Sequence, residues 1–142
     1  MYCNQCEQAA KGGCTVSGVC GKKPEIADLQ DLVLHEVTAL SLWADAGRAM
    51  GIIDEAVDAY ASKAIFHTVT NVDFDAESLA HVVHTLHATR LTLAASVAAK
   101  GGKPAHDHPS LRFQPADTLD GLIVQAHEVG HFAALAKDPD VA

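Results

Sequence analysis

Four cysteines, Cys3, Cys6, Cys14 and Cys20, fall within the first twenty residues, and the rest of the chain has none. Thiolates spaced C-x2-C-x7-C-x5-C can join as disulfides, hold zinc or bind an iron–sulfur cluster. An intracellular thiol pool keeps cysteine pairs reduced, which ranks metal binding above disulfides. For zinc, only the first pair has knuckle spacing; the second pair has five residues between its members. For iron and sulfide, the interspersed Gly12, Gly13, Gly18 and Gly21 let backbone amides approach inorganic sulfur with no Cβ in the way. Lys11, Lys22 and Lys23 add positive charge beside an anionic thiolate group. Spacing leaves both iron–sulfur and zinc open.

Histidines supply the competing chemistry. His127-Glu128-Val129-Gly130-His131 matches H-E-x-x-H, which on a helix sets two imidazoles on one face for zinc while the glutamate polarises water. A zinc hydrolase needs a third ligand, and the eleven residues after His131 contain no Glu and no His. The plainer reading is a helix-surface pair with a solvated glutamate. His81, His84 and His87 recur every third residue and, at roughly 100° per residue, form a drifting helical stripe. Two of them could chelate one ion, but the stripe reads as a polar face opposite Leu79, Val82, Val83 and Leu86. His106 and His108 sit in a loop and read as exposed, and Trp43 reads as core.

The elements that position these groups are helical. From Pro24, apolar residues recur every three to four positions (Ile26, Leu29, Val33, Val37, Leu40), predicting an amphipathic helix over 25–50 that stops at Gly51. Asp54 caps a second, running to about Val69, with Val57, Tyr60, Ala64 and Ile65 on one face. A long third helix follows Asp75 and ends at Gly101-Gly102. Residues 101–117, with three prolines, form an irregular connection, and a fourth helix spans about Thr118 to Lys137. No β alternation is present. The expected fold is all-α: an antiparallel bundle of three to four helices at 25–142, packed as a single domain with a cysteine-rich loop at 1–24.

Composition narrows the function classes. The chain has 142 residues, 49% hydrophobic and 20% charged, in keeping with one soluble domain. Its net charge of −8, without a basic patch, argues against nucleic-acid and anionic-membrane partners. No apolar run is long enough for a transmembrane span or a secretory signal, so a cytoplasmic location is expected.

Met1-Tyr2-Cys3-Asn4-Gln5-Cys6-Glu7-Gln8, Gly13-Cys14, Gly18-Val19-Cys20-Gly21-Lys22 and Asp28-Leu29-Gln30-Asp31-Leu32 together resemble the opening of the hybrid-cluster proteins, also called prismane proteins or hydroxylamine reductases. Phe66-His67-Thr68-Val69-Thr70-Asn71-Val72-Asp73-Phe74-Asp75 resembles a second segment of that family. The resemblance implies that Cys3, Cys6, Cys14 and Cys20 are the ligands of one cluster, a [4Fe-4S] cubane given the short middle gap. It also implies that the family's chemistry, reduction of hydroxylamine to ammonia or of nitric oxide to nitrous oxide, belongs to a separate hybrid cluster whose ligands come from later domains. No cysteine is left here for a second cluster.

The expectation is therefore an electron-transfer domain without the reductase site, served by a redox donor and serving a downstream catalytic domain or subunit. A homo-oligomer is compatible with it. The alternatives are a zinc-stabilised helical interaction domain, in which the metal only staples the loop to the bundle, and an HExxH zinc hydrolase.

Overall fold

A computed structural model describes residues 1–9 and 12–129. Its elements, in chain order, are α1 (Pro24–Arg48), α2 (Glu55–His67), α3 (Ala76–Ala99), a 3-10 turn (Pro109–Arg112) and α4 (Leu119–Val129). There are no strands among the described residues, only an isolated bridge in the N-terminal loop. This is the all-α bundle expected. The fourth helix was expected to reach Lys137; the positions after Val129 lie outside the described residues.

Local chemistry explains where the helices start and stop. Pro24 opens α1, where its missing N–H costs nothing. Asp54 accepts from the amides of Ala56 and Val57 at 3.0 and 3.2 Å to cap α2, and Asp75 accepts from Glu77 at 3.0 Å to cap α3. Gly101, at φ 82°, turns the chain out of α3 in the left-handed conformation that glycine adopts without steric cost. The Gly102 amide reaches back to the Val97 carbonyl at 3.0 Å. The same reach closes α1, from Ile52 to Gly47 at 2.9 Å. The 3-10 turn in the proline-containing connection was not anticipated; His108 caps it through Ser110.

The packing departs from the sequence reading in two places. α1 is not merely amphipathic. It is the central helix, packed on α3, α4 and α2, and its N-terminal half is buried nearly all round. Asp28, Gln30, Asp31, His35 and Glu36 are buried together with Leu29, Leu32 and Val33. α2, by contrast, meets the bundle along a narrow edge of Val57 and Ala64, with Tyr60 and Ala61 partly covered. Ile65, one position past Ala64 and so about 100° round the helix, is 45% exposed rather than core. Trp43 packs partly buried against the core, as expected. No described helix is long and apolar enough to cross a membrane.

Candidate cluster-binding loop

The four cysteines are all free thiols; Cys14 is buried, and the other three are intermediate in exposure. The loop brings two of them face to face. Cys3 and Cys14 form an antiparallel bridge, with the Cys3 amide donating to the Cys14 carbonyl at 3.0 Å and the Cys14 amide to the Cys3 carbonyl at 2.7 Å. In such a reciprocal pair both side chains leave the same face of the ladder. Gly13 makes this approach possible. Its φ is 94°, and a Cβ there would lie 2.9 Å from Tyr2 Cε2 and 3.0 Å from the Cys3 carbonyl oxygen.

Cys6 begins a turn closed by the Ala9 amide on its carbonyl at 3.1 Å. Cys20 sits inside a second closed turn, in which the Gly18 amide donates to the Lys22 carbonyl at 2.8 Å and the Gly21 amide to the Gly18 carbonyl at 2.9 Å. A Cβ on Gly18 would come within 3.2 Å of Cys20 Sγ. The sulfurs of Cys6 and Cys20 are not drawn together with the other two: no group of three or more His, Cys, Asp or Glu side chains converges as a metal site among the described residues.

A polar cage fastens this loop to the bundle. Lys22 is only 2% exposed. Its ammonium donates to Gln30 Oε1 of α1 at 2.6 Å, to Gln5 Oε1 at 3.0 Å and to Cys3 Sγ at 3.9 Å, and lies 5.7 Å from the centre of the Phe74 ring. Gln30 Nε2 in turn donates to the carbonyls of Asp73 at 2.9 Å and His67 at 3.3 Å. Gln5 Nε2 donates to the Thr68 carbonyl at 2.7 Å, and Thr70 Oγ1 donates to the Gln5 carbonyl at 3.1 Å. The connection after α2 is itself pinned by His67 Nδ1 on Asp73 Oδ2 at 2.7 Å and by Ser78 Oγ on the same oxygen at 2.8 Å. The segments 1–33 and 65–75 thus meet at one place.

Sequence reasoning named Lys22 for its charge but missed Gln5 and Gln30. A signal existed: Gln30 falls in register with Ile26, Val33 and Val37, a polar side chain inside an apolar stripe.

Further carboxylates lie close by. The N-terminal amine pairs with Asp28 Oδ1 at 3.2 Å. Burial, and then the nearby Asp28 carboxylate, push the Asp31 carboxyl from near 3.8 up to about 7, against the pull of the amino terminus and Lys22.

The histidine candidates do not assemble into a metal site among the described residues. His81 is exposed and His84 partly so. His87 is not on a solvated stripe: its Nδ1 lies 3.1 Å from Glu36 Oε1 and 2.8 Å from Arg90 Nη2, in a network where Glu36 is wholly buried and Arg90 nearly so. The position is inward because three-residue steps drift round the helix, carrying the stripe from solvent at His81 to the α1 face at His87. Burial pushes the Glu36 carboxyl up, opposed by Arg90 and His87. His106 is exposed, and His108 caps the 3-10 turn. His127 and Glu128 are exposed on α4, with His127 Nδ1 3.3 Å from Asp28 Oδ2; His131 lies outside the described residues.

Comparison with known proteins agrees with the motif reading. Residues 1–138 match the family described as Prismane/CO dehydrogenase. The chain is 43% identical over 99% of its length to a hydroxylamine reductase of Syntrophobacter fumaroxidans, covering 26% of that protein. It is 44% identical to the hydroxylamine reductase of Methanocella arvoryzae and 45% identical to that of Geobacter sulfurreducens, each over 92% of this chain. The chain spans about a quarter of the length of these relatives. Both resembling segments, and the helices between and beyond them, therefore fall inside one continuous family match, and the chain belongs to the prismane/CO dehydrogenase family.

Proposed function

We propose that this chain is an iron–sulfur electron-transfer domain in which Cys3, Cys6, Cys14 and Cys20 hold one [4Fe-4S] cluster. The observation that carries this reading is the pairing of Cys3 with Cys14, with the buried Lys22 ammonium at the Cys3 sulfur. Four free thiols in one loop match such a group in donor type and number, and a fixed cation suits an anionic thiolate set. Bound there, the cluster supplies storage and release of one electron at a time.

The residues around it hold the loop in place. The bridge sets Cys3 and Cys14 on one face, the two closed turns present Cys6 and Cys20, and the Gln5–Lys22–Gln30 cage ties the loop to α1 and to the connection after α2. Cys6 and Cys20 come to the other two as metal binds, in the usual coupling of ligation to local folding. With every cysteine committed to this loop, the hydroxylamine reductase activity named for the relatives belongs to the part of those proteins that this chain does not span. The partners are a redox donor on one side and that catalytic region, as a domain or a subunit, on the other.

The test is anaerobic purification followed by iron, sulfide and zinc analysis. The expected result is a brown protein with four irons and four sulfides per chain, as the cubane formula requires, bleaching on reduction. Each Cys→Ser variant should lose iron. A colourless protein carrying zinc would overturn the assignment.

A further inference from the structure

The charge on Lys22 lacks an ordinary counterion. Its acceptors are the neutral amide oxygens of Gln5 and Gln30 and the sulfur of Cys3, and no carboxylate pairs with it among the described residues. Asp31 lies near enough to feel it but is itself held toward its neutral form by burial. A buried cation is costly unless a negative group meets it. Of its three acceptors, only the Cys3 sulfur can carry a full negative charge. The cage also fixes the cation: Gln30 is anchored on the carbonyls of His67 and Asp73, Gln5 on that of Thr68, and Phe74 lies beside the ammonium. The segment at 66–75 lies far along the chain from the cysteines, yet it supplies most of the anchoring for the cation held against Cys3.

Resting on the cluster reading above, we propose that Lys22 sets the reduction potential of the cysteine loop: its caged ammonium favours the more negative, reduced state of the thiolate-bound cluster. The step is a one-electron reduction in which a low-potential donor such as dithionite or a reduced viologen is oxidised. No bond is made or broken and no proton is taken up. The added negative charge is met by the ammonium across the Cys3 sulfur.

The experiment is an EPR-monitored redox titration of the anaerobically purified full chain, comparing wild type with Lys22→Gln, Lys22→Arg and Gln30→Glu. Lys22→Gln keeps a donor for the two glutamines but removes the charge. Its reduced-to-oxidised ratio at fixed ambient potential should fall about tenfold, a shift of about 59 mV for one electron. Lys22→Arg should titrate close to wild type. Gln30→Glu places a carboxylate on the ammonium and should shift in the same direction as Lys22→Gln. Iron-loaded Lys22→Gln titrating at the wild-type potential would overturn the proposal. Should Lys22→Gln fail to fold, as judged by circular dichroism, the decision passes to Gln30→Glu, whose unshifted potential would overturn it equally. A wild-type chain free of iron and sulfide would overturn the cluster reading and this proposal together; a loaded wild type with unshifted variants overturns this one alone.

Discussion

Gln30 Oε1 accepts from the Lys22 ammonium at 2.6 Å while Gln30 Nε2 donates to the Asp73 carbonyl at 2.9 Å, so one side chain of α1 joins the cysteine loop to the connection between α2 and α3. Replacing it leaves a buried cation short of an acceptor and two backbone carbonyls short of a donor. Gln30→Leu is expected to destabilise the protein by about 2–4 kcal/mol in urea unfolding, since a stranded charged partner costs more than a lost neutral bond. A loss below about 1 kcal/mol would show that water replaces the side chain.

The Gly13 turn leaves no room for a side chain. Gly13→Ala drives a Cβ against Tyr2 and the Cys3 carbonyl in a left-handed conformation, and should pull the Cys3–Cys14 bridge apart. Gly12→Ala has nearly the same φ, 89°, but open space around its Cβ, and serves as the control. Both changes carry the backbone penalty of roughly 1 kcal/mol. Only Gly13→Ala should lose iron, read as iron per chain after anaerobic gel filtration.

Arg90 holds the wholly buried Glu36 through Nε at 3.1 Å and also donates to the carbonyls of Leu111 and Phe113. Arg90→Met strands the carboxylate and should cost about 3–5 kcal/mol at neutral pH. Burial pushes the Glu36 carboxyl up, and removing Arg90 takes away the largest influence that opposes this, so protonation relieves the stranded group in the variant. The stability available to protonated Glu36 is therefore present in acid and lost as pH rises through the folded value, so the Arg90→Met defect should shrink on acidification. Glu36→Gln combined with Arg90→Met should recover part of the loss. Urea midpoints of the three variants at two pH values check this.

Asp31 titrates at about 7 in the folded chain against 3.8 ordinarily. The raised value means that its stabilising contribution is complete below pH 3.8, declines from there upward, and is gone above about pH 7. Asp31→Asn mimics the protonated form at every pH. Relative to wild type, the variant should gain roughly 2–3 kcal/mol more at pH 8 than at pH 5, by linkage. Parallel stability curves for the two proteins would mean that the carboxyl is solvated.

The helices and their ends were legible in the sequence because their causes are local. Apolar residues recur within one turn of each other, Asp54 and Asp75 cap amides two or three residues on, and Gly101 acts on its own turn. The four cysteines stood out for the same reason, being confined to one short stretch. Tertiary structure alone decided which polar groups α1 would bury. Periodicity marks an apolar stripe, but it cannot tell that a helix is surrounded, and so it gives no sign that α1 buries Asp31, His35 and Glu36. The orientation of His87 and the exposure of Ile65 were likewise settled by neighbouring helices, since a residue one step round a helix moves by about 100° between core and solvent. The Lys22 cage is the clearest case. Its partners stand 8, 17 and 19 residues away, and the glutamines' anchors up to 65 away. A buried ammonium can donate to any well-placed oxygen or sulfur, so nothing in the spacing of these residues marks them as partners; only the packing of loop, α1 and connection brings them within hydrogen-bond reach.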